Sequence, residues 1–180
     1  MSDYILTYTK IKFFPLDPVK EDIKIEDIAH ALSLMTRANG HYRHFYSVAQ
    51  HSIHCYQEAK SKGHSARVQL GCLLHDASES YISDLTRPVK RNLPEYYDIE
   101  EKLQRVINDR FGLGDLSDEE RKQIEDVDDT LLHYEFQEMM DYPIFETPLE
   151  LATQPDFSQR DFACVEEEFL EICNMLEPTV

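Results

Sequence analysis

Ser65-Ala66-Arg67-Val68-Gln69-Leu70-Gly71-Cys72-Leu73-Leu74-His75-Asp76-Ala77-Ser78-Glu79-Ser80 is the stretch that decides the fold. It holds no proline, and its residues are apolar on nearly every side of a helix, the pattern of a segment surrounded by other helices. The spacing predicts one continuous helix to about Ser80. Polar groups interrupt the apolar run at its end: His75 and Asp76 directly follow Leu73 and Leu74. Glu79, four residues after His75, shares its face if the helix continues.

The same reading extends outward. None of the eight prolines falls within 19–87 or 95–142. Proline costs about 3 kcal/mol inside a helix, so these windows invite helices. Ile25, Ile28, Ala29, Leu32 and Met35 recur at helical spacing and predict a first helix to about Thr36, followed by an Asn39-Gly40 turn. A second is expected from about Phe45 to Lys62, stopped by Gly63, and a fourth from about Glu95 to Phe111, ended by Gly112 and Gly114. Ser117 to Glu120 reads as a capping box that opens a fifth helix reaching about Asp141. The last runs from about Arg160 to Leu176, with Phe162, Val165, Phe169, Ile172, Cys173 and Leu176 on one face. Thr86 to Pro94 and 143–159 read as loops, and the alternation over 4–14 as a short extended arm. The expectation is an all-α chain, a single domain over 1–180 built as a bundle of about six helices.

Composition narrows the function classes. With 180 residues the chain has the length of one domain. Its net charge of −17 would repel polyanions, which argues against nucleic-acid polymers and anionic membranes as partners. There is neither a GxGxxG turn nor a P-loop. The apolar run Leu70–Leu74 is far below the ~20 residues of a membrane span. The N-terminus lacks an apolar stretch of signal-peptide length. Cys55, Cys72, Cys164 and Cys173 form no CxxC pair, and each stands among apolar neighbours, as reduced core cysteines of a cytoplasmic protein would.

The informative residues are polar ones on apolar stripes. On the second helix His51 sits among Val48, Ser52, Cys55 and Ala59. On the fifth, Asp128 sits in the stripe Ile124, Val127, Leu131, Leu132, Glu135. A buried carboxylate is costly unless something neutralises it. A divalent cation held by His51, His75, Asp76 and Asp128 would do so, because two neutral imidazoles, two carboxylates and one M2+ sum to zero. Imidazole ligands point to Mn, Fe, Co, Ni or Zn rather than Mg. The plainer alternative is a set of hydrogen-bonded core histidines, with Asp128 on a solvated acidic face beside Asp126 and Asp129.

The order His51, His75-Asp76, Asp128 resembles the HD-domain metal-dependent phosphohydrolases. The segments 25–33, 46–52, 73–79 and 84–90 are similar to signature segments of its small nucleotidase branch, which includes 5'-deoxynucleotidases and deoxynucleoside triphosphohydrolases. That resemblance implies a metal on the same four residues. It implies that Glu79 handles the attacking water, that Asp84 is a second catalytic acid, and that Arg37 contacts substrate phosphate. It also implies a homo-oligomer. Relatives usually carry an aromatic after that arginine; Ala38 departs from the pattern. Arg87, Lys90 and Arg91 form the densest basic patch of the chain, and the first two are candidates for substrate contact.

The function expected is hydrolysis of a nucleotide phosphate ester, dNMP to deoxynucleoside and phosphate. Release of triphosphate from a dNTP on the same site competes with it. A non-catalytic nucleotide-binding module of the same fold is the alternative from another class, and retention of Glu79 and Asp84 argues against it.

Overall fold

Ser47 ends an extended stretch and its hydroxyl accepts from the Gln50 amide at 3.1 Å, which starts helix α2, Val48–Ser61. This helix opens three residues later than the apolar pattern indicated, and it ends as expected, with Gly63 in the left-handed region. The computed structural model describes residues 3–176 and is all-α. Before α2 lies α1, Ile25–Leu34. After it come α3, Ala66–Leu74; two single-turn helices, α4, Glu79–Ile82, and α5, Arg87–Lys90; then α6, Pro94–Arg110, α7, Asp118–Met140, and α8, Phe162–Leu176. The capping box expected at Ser117 and Glu120 opens α7.

Helix α2 packs on α3 and α7, and α1 packs on α2 and α8. Ile28, Leu32, Ile53, Leu73, Leu74, Leu103 and Phe169 share one buried cluster between them. The N-terminal arm is a two-residue antiparallel pair, β1 Ile5–Leu6 with β2 Lys12–Phe13. Its turn is fastened to α1 by the buried Asp27, which accepts from the Thr9 amide at 2.6 Å and from its hydroxyl at 2.9 Å.

Three expectations need correction. The helix foreseen to Ser80 stops at Leu74. Residues 75–78 form a tight turn with i to i+3 bonds, such as Ala77 N to Leu74 O and Glu79 N to Asp76 O, before α4 begins. Glu79 therefore does not reach its place through a shared helical face with His75. The basic loop after Thr86 contains the helical turn α5. Cys55, Cys72 and Cys173 are buried, but Cys164 is exposed; it lies one residue, about 100° of helix, from the buried Val165. No helix among the described residues is long and apolar enough to cross a membrane.

Candidate functional site

Three elements bring the four metal-ligand candidates together: α2 supplies His51, the turn after α3 supplies His75 and Asp76, and α7 supplies Asp128. His51 Nε2 lies 3.2 Å from His75 Nε2 and 3.1 Å from Asp128 Oδ1. His75 Nε2 lies 3.2 Å from Asp76 Oδ2 and 3.5 Å from Asp128 Oδ1. Donors bonded at 2.0–2.2 Å to a tetrahedral ion stand about 3.4 Å apart, so the spacing could accommodate one metal ion.

The tautomers make the fit sharper. His75 Nδ1 is 2.8 Å from the Cys72 carbonyl oxygen, which can only accept, so Nδ1 carries the hydrogen. His51 Nδ1 is 2.5 Å from Glu135 Oε1. Burial opposes ionisation of Glu135, but His51 and Arg37 overcome it and bring its pKa down to about 2, so it too only accepts. In the neutral form, both rings thus turn Nε2 lone pairs toward each other, an arrangement that either a proton or a metal ion between them would satisfy. Asp128 Oδ1 is buried there without a hydrogen-bond partner among the described residues. Burial opposes charge on His75, yet Asp76 and Asp128 hold its pKa well above the usual imidazole range. The point shared by His51, His75 and Asp128 attracts a cation.

His51, Cys55, His75 and Asp128 form a group whose ligand atoms all lie within 4.8 Å of one another and which could hold a metal ion. Cys55, one turn after His51, places Sγ 3.4 Å from His51 Nε2. Its burial, with Asp128 nearby, pushes the thiol well above its ordinary pKa and disfavours the thiolate.

Arg37 is buried beside this cluster. It donates from Nε to Glu135 Oε2 at 3.1 Å and from Nη1 to Asp76 Oδ2 at 3.0 Å, with Nη2 3.6 Å from Asp128 Oδ1. It follows α1 in a 3-10 turn, Arg37–Gly40, where Ala38 and Asn39 both take left-handed backbone angles.

A cleft of about 470 Å³ opens over the cluster, and Arg37, Asp76, Glu79, Asp84, Arg87, Lys90 and Asp128 all line it. Glu79 is buried; its Oε1 accepts from Lys90 Nζ at 3.1 Å, and its Oε2 has no partner among the described residues. Burial, then the charges of Asp76 and Asp84, push its carboxyl well above the ordinary range. A carboxyl raised in this way is, once ionised, a stronger base than an exposed glutamate. Lys90 is shared with Glu100 of α6 at 2.5 Å. Arg87 donates to Asp128 Oδ2 at 3.0 Å and to Asp129 Oδ1 at 2.9 Å.

Sequence reading gave Glu135 a place in the α7 stripe but no role. In the structure it is fully buried and accepts from Arg37, Tyr42, Tyr46 and His51. Its position seven residues after Asp128 was the available signal, since that spacing returns to the same helix face. Cys55 carried a similar signal, four residues after His51.

No family model matches the chain. It is 41% identical over 110 residues to the uncharacterized protein YfdR of Escherichia coli K12, a match covering 61% of this chain and 59% of that protein. It is 39% identical over 103 residues to the uncharacterized protein RCAP_rcc00048 of Rhodobacter capsulatus, covering 54% of this chain and 53% of that protein. The chain thus spans between about half and three fifths of the length of the curated relatives it matches.

Proposed function

We propose that the cleft hydrolyses phosphate esters of nucleotides, 5'-deoxynucleoside monophosphates foremost, with one divalent transition metal held by His51, His75, Asp76 and Asp128. The observation that supports this most is the pair of inward-facing Nε2 atoms, each fixed by an acceptor at Nδ1, with the unpartnered Asp128 Oδ1 between them. Asp76 serves better than Cys55 as the fourth donor, because its carboxyl is ionised: burial opposes this, but His75 and Arg37 hold its pKa far below the usual range. When bound, the metal supplies an acidified water and offsets phosphoryl charge.

The chain's own residues supply the rest. Glu79, whose Oε2 has no partner among the described residues, takes the proton of the attacking water in its ionised form, and its raised pKa makes that form the stronger base. Asp84, on the same cleft, sustains that raised pKa by its charge and is the second catalytic acid. Arg37 keeps Asp76, Asp128 and Glu135 in place, and a bound phosphate would compete with Asp76 and Asp128 for its two Nη groups. Arg87 and Lys90 line the phosphate side while paired to Asp128 and Glu79, so a bound phosphate would compete with those carboxylates for them.

Triphosphate release from a dNTP is a second reading, favoured by one observation: Arg91, whose side chain has no ion-pair partner among the described residues, joins Arg87 and Lys90 along the cleft. The deciding experiment is a panel of ribo- and deoxynucleoside mono-, di- and triphosphates with Mn2+, Co2+ and Mg2+, following phosphate, pyrophosphate and triphosphate release. Phosphate released from dNMPs is the expected result. Triphosphate release alone would select the second reading, and no cleavage of any nucleotide would refute both.

A further inference from the structure

We propose that the segment following α7 builds a stacking wall for a planar nucleobase, and that the cleft takes the common bases with little distinction among them. This rests on the nucleotide reading above for the identity of the ligand. Asp128, Leu132 and Phe136 stand four residues apart on one face of α7, so the lining of the cleft passes from acid to aliphatic to aromatic over about 12 Å of helix. The chain then turns back. Asp141 takes a left-handed backbone angle (φ 53°), and the Tyr142 amide returns to the Phe136 carbonyl at 3.3 Å. The Phe145 amide donates to His133 Nδ1 at 3.1 Å, and its ring lies 14° from parallel to that imidazole with centroids 5.8 Å apart. These contacts lay Tyr142, Ile144 and Phe145 along the cleft beside Phe136. Tyr142 is 65% exposed, and its ring has no aromatic or cationic partner among the described residues.

A cleft with charge at one end and aromatic faces at the other matches a molecule that is anionic at one end and flat at the other. Stacking of a base on an aromatic side chain is tolerant of base identity because every base has a π face. Reading a base edge requires fixed donors and acceptors, which Asn and Gln supply for adenine and Arg for guanine. Neither Asn nor Gln lines this cleft among the described residues, the Tyr42 hydroxyl is already donated to Glu135, and Arg37 and Arg87 are already held by carboxylates. The small Ala38 leaves the wall to the residues after α7.

Calorimetric titration of the metal-loaded full chain carrying Glu79→Gln, which lets the ligand survive, measures this directly. The four dNMPs should bind within about fivefold of one another. Deoxyribose 5-phosphate should bind at least about tenfold more weakly, since a stacked base contributes on that order. Adding Tyr142→Ala should shrink the gap between nucleotide and sugar phosphate by about tenfold, and Tyr142→Phe should keep it. Equal affinity for deoxyribose 5-phosphate and dNMPs, a gap indifferent to Tyr142→Ala, or a hundredfold preference for one base would overturn the proposal. The hydrolytic reading fails separately: dNMPs that bind with this pattern but are not cleaved by the unsubstituted protein would refute hydrolysis and leave the stacking wall standing.

Discussion

Glu135 and Glu79 are both buried carboxylates at this site, and their surroundings assign them opposite tasks. Glu135 is saturated: its two oxygens take two tyrosine hydroxyls, the Arg37 Nε and the His51 Nδ1. It fixes the tautomer of His51 and the orientation of Arg37 but does not line the cleft. Glu79 lines the cleft, and one of its oxygens has no partner among the described residues. Glu135→Gln should therefore weaken metal binding by about 10–100-fold, the usual cost of disturbing the group behind a histidine ligand, because the amide is a poorer partner for the four donors around it. Glu79→Gln should keep the metal and lower kcat by about 10²–10⁴-fold. Metal titration of the two variants beside steady-state rates checks both. Metal loss in the Glu79 variant, or unchanged affinity in the Glu135 variant, would contradict the assignment.

The break between α3 and α4 determines where His75 and Asp76 point. Its two exposed backbone groups are met by one side chain of α6: Gln104 donates from Nε2 to the Leu74 carbonyl at 2.8 Å and accepts at Oε1 from the Ser78 amide at 3.0 Å. Gln104→Ala would leave the Ser78 amide unpaired inside the protein and take one of two donors from the Leu74 carbonyl, which keeps the Ala77 amide, and should lower stability by about 1–3 kcal/mol in urea unfolding. It should also loosen metal binding, because the turn would lose its anchor. A change below about 0.5 kcal/mol would show that the turn holds itself. This break was not legible in residues 65–80, since no Gly or Pro marks it and the group that satisfies it lies 26 and 30 residues away in the chain. The helix caps at Gly63 and Ser117 were legible because their signals are local. His51 and Asp128 were legible as members of the polar cluster because a polar group inside an aliphatic stripe stands out at helical spacing. The role of Glu135 was not, since nothing in its spacing tells which donors from α2 and the 37–46 segment converge on it.

Across the whole molecule, a net charge of −17 opposes any anionic ligand, so the cleft must supply its own attraction. Its lining contains four cations, Arg37, Arg87, Lys90 and Arg91, and four acids, Asp76, Glu79, Asp84 and Asp128, which cancel formally. A divalent ion at the histidine cluster would turn that balance positive, so nucleotide affinity should depend on metal loading. The central claim is that ion. Elemental analysis of the purified protein, loaded with Mn2+ or Co2+ and then dialysed, tests it most directly, with Asp128→Ala measured in parallel and circular dichroism to show that its helices persist. One metal per unsubstituted chain and almost none in folded Asp128→Ala is the predicted result; a metal-free unsubstituted protein, or full occupancy in the variant, would contradict it.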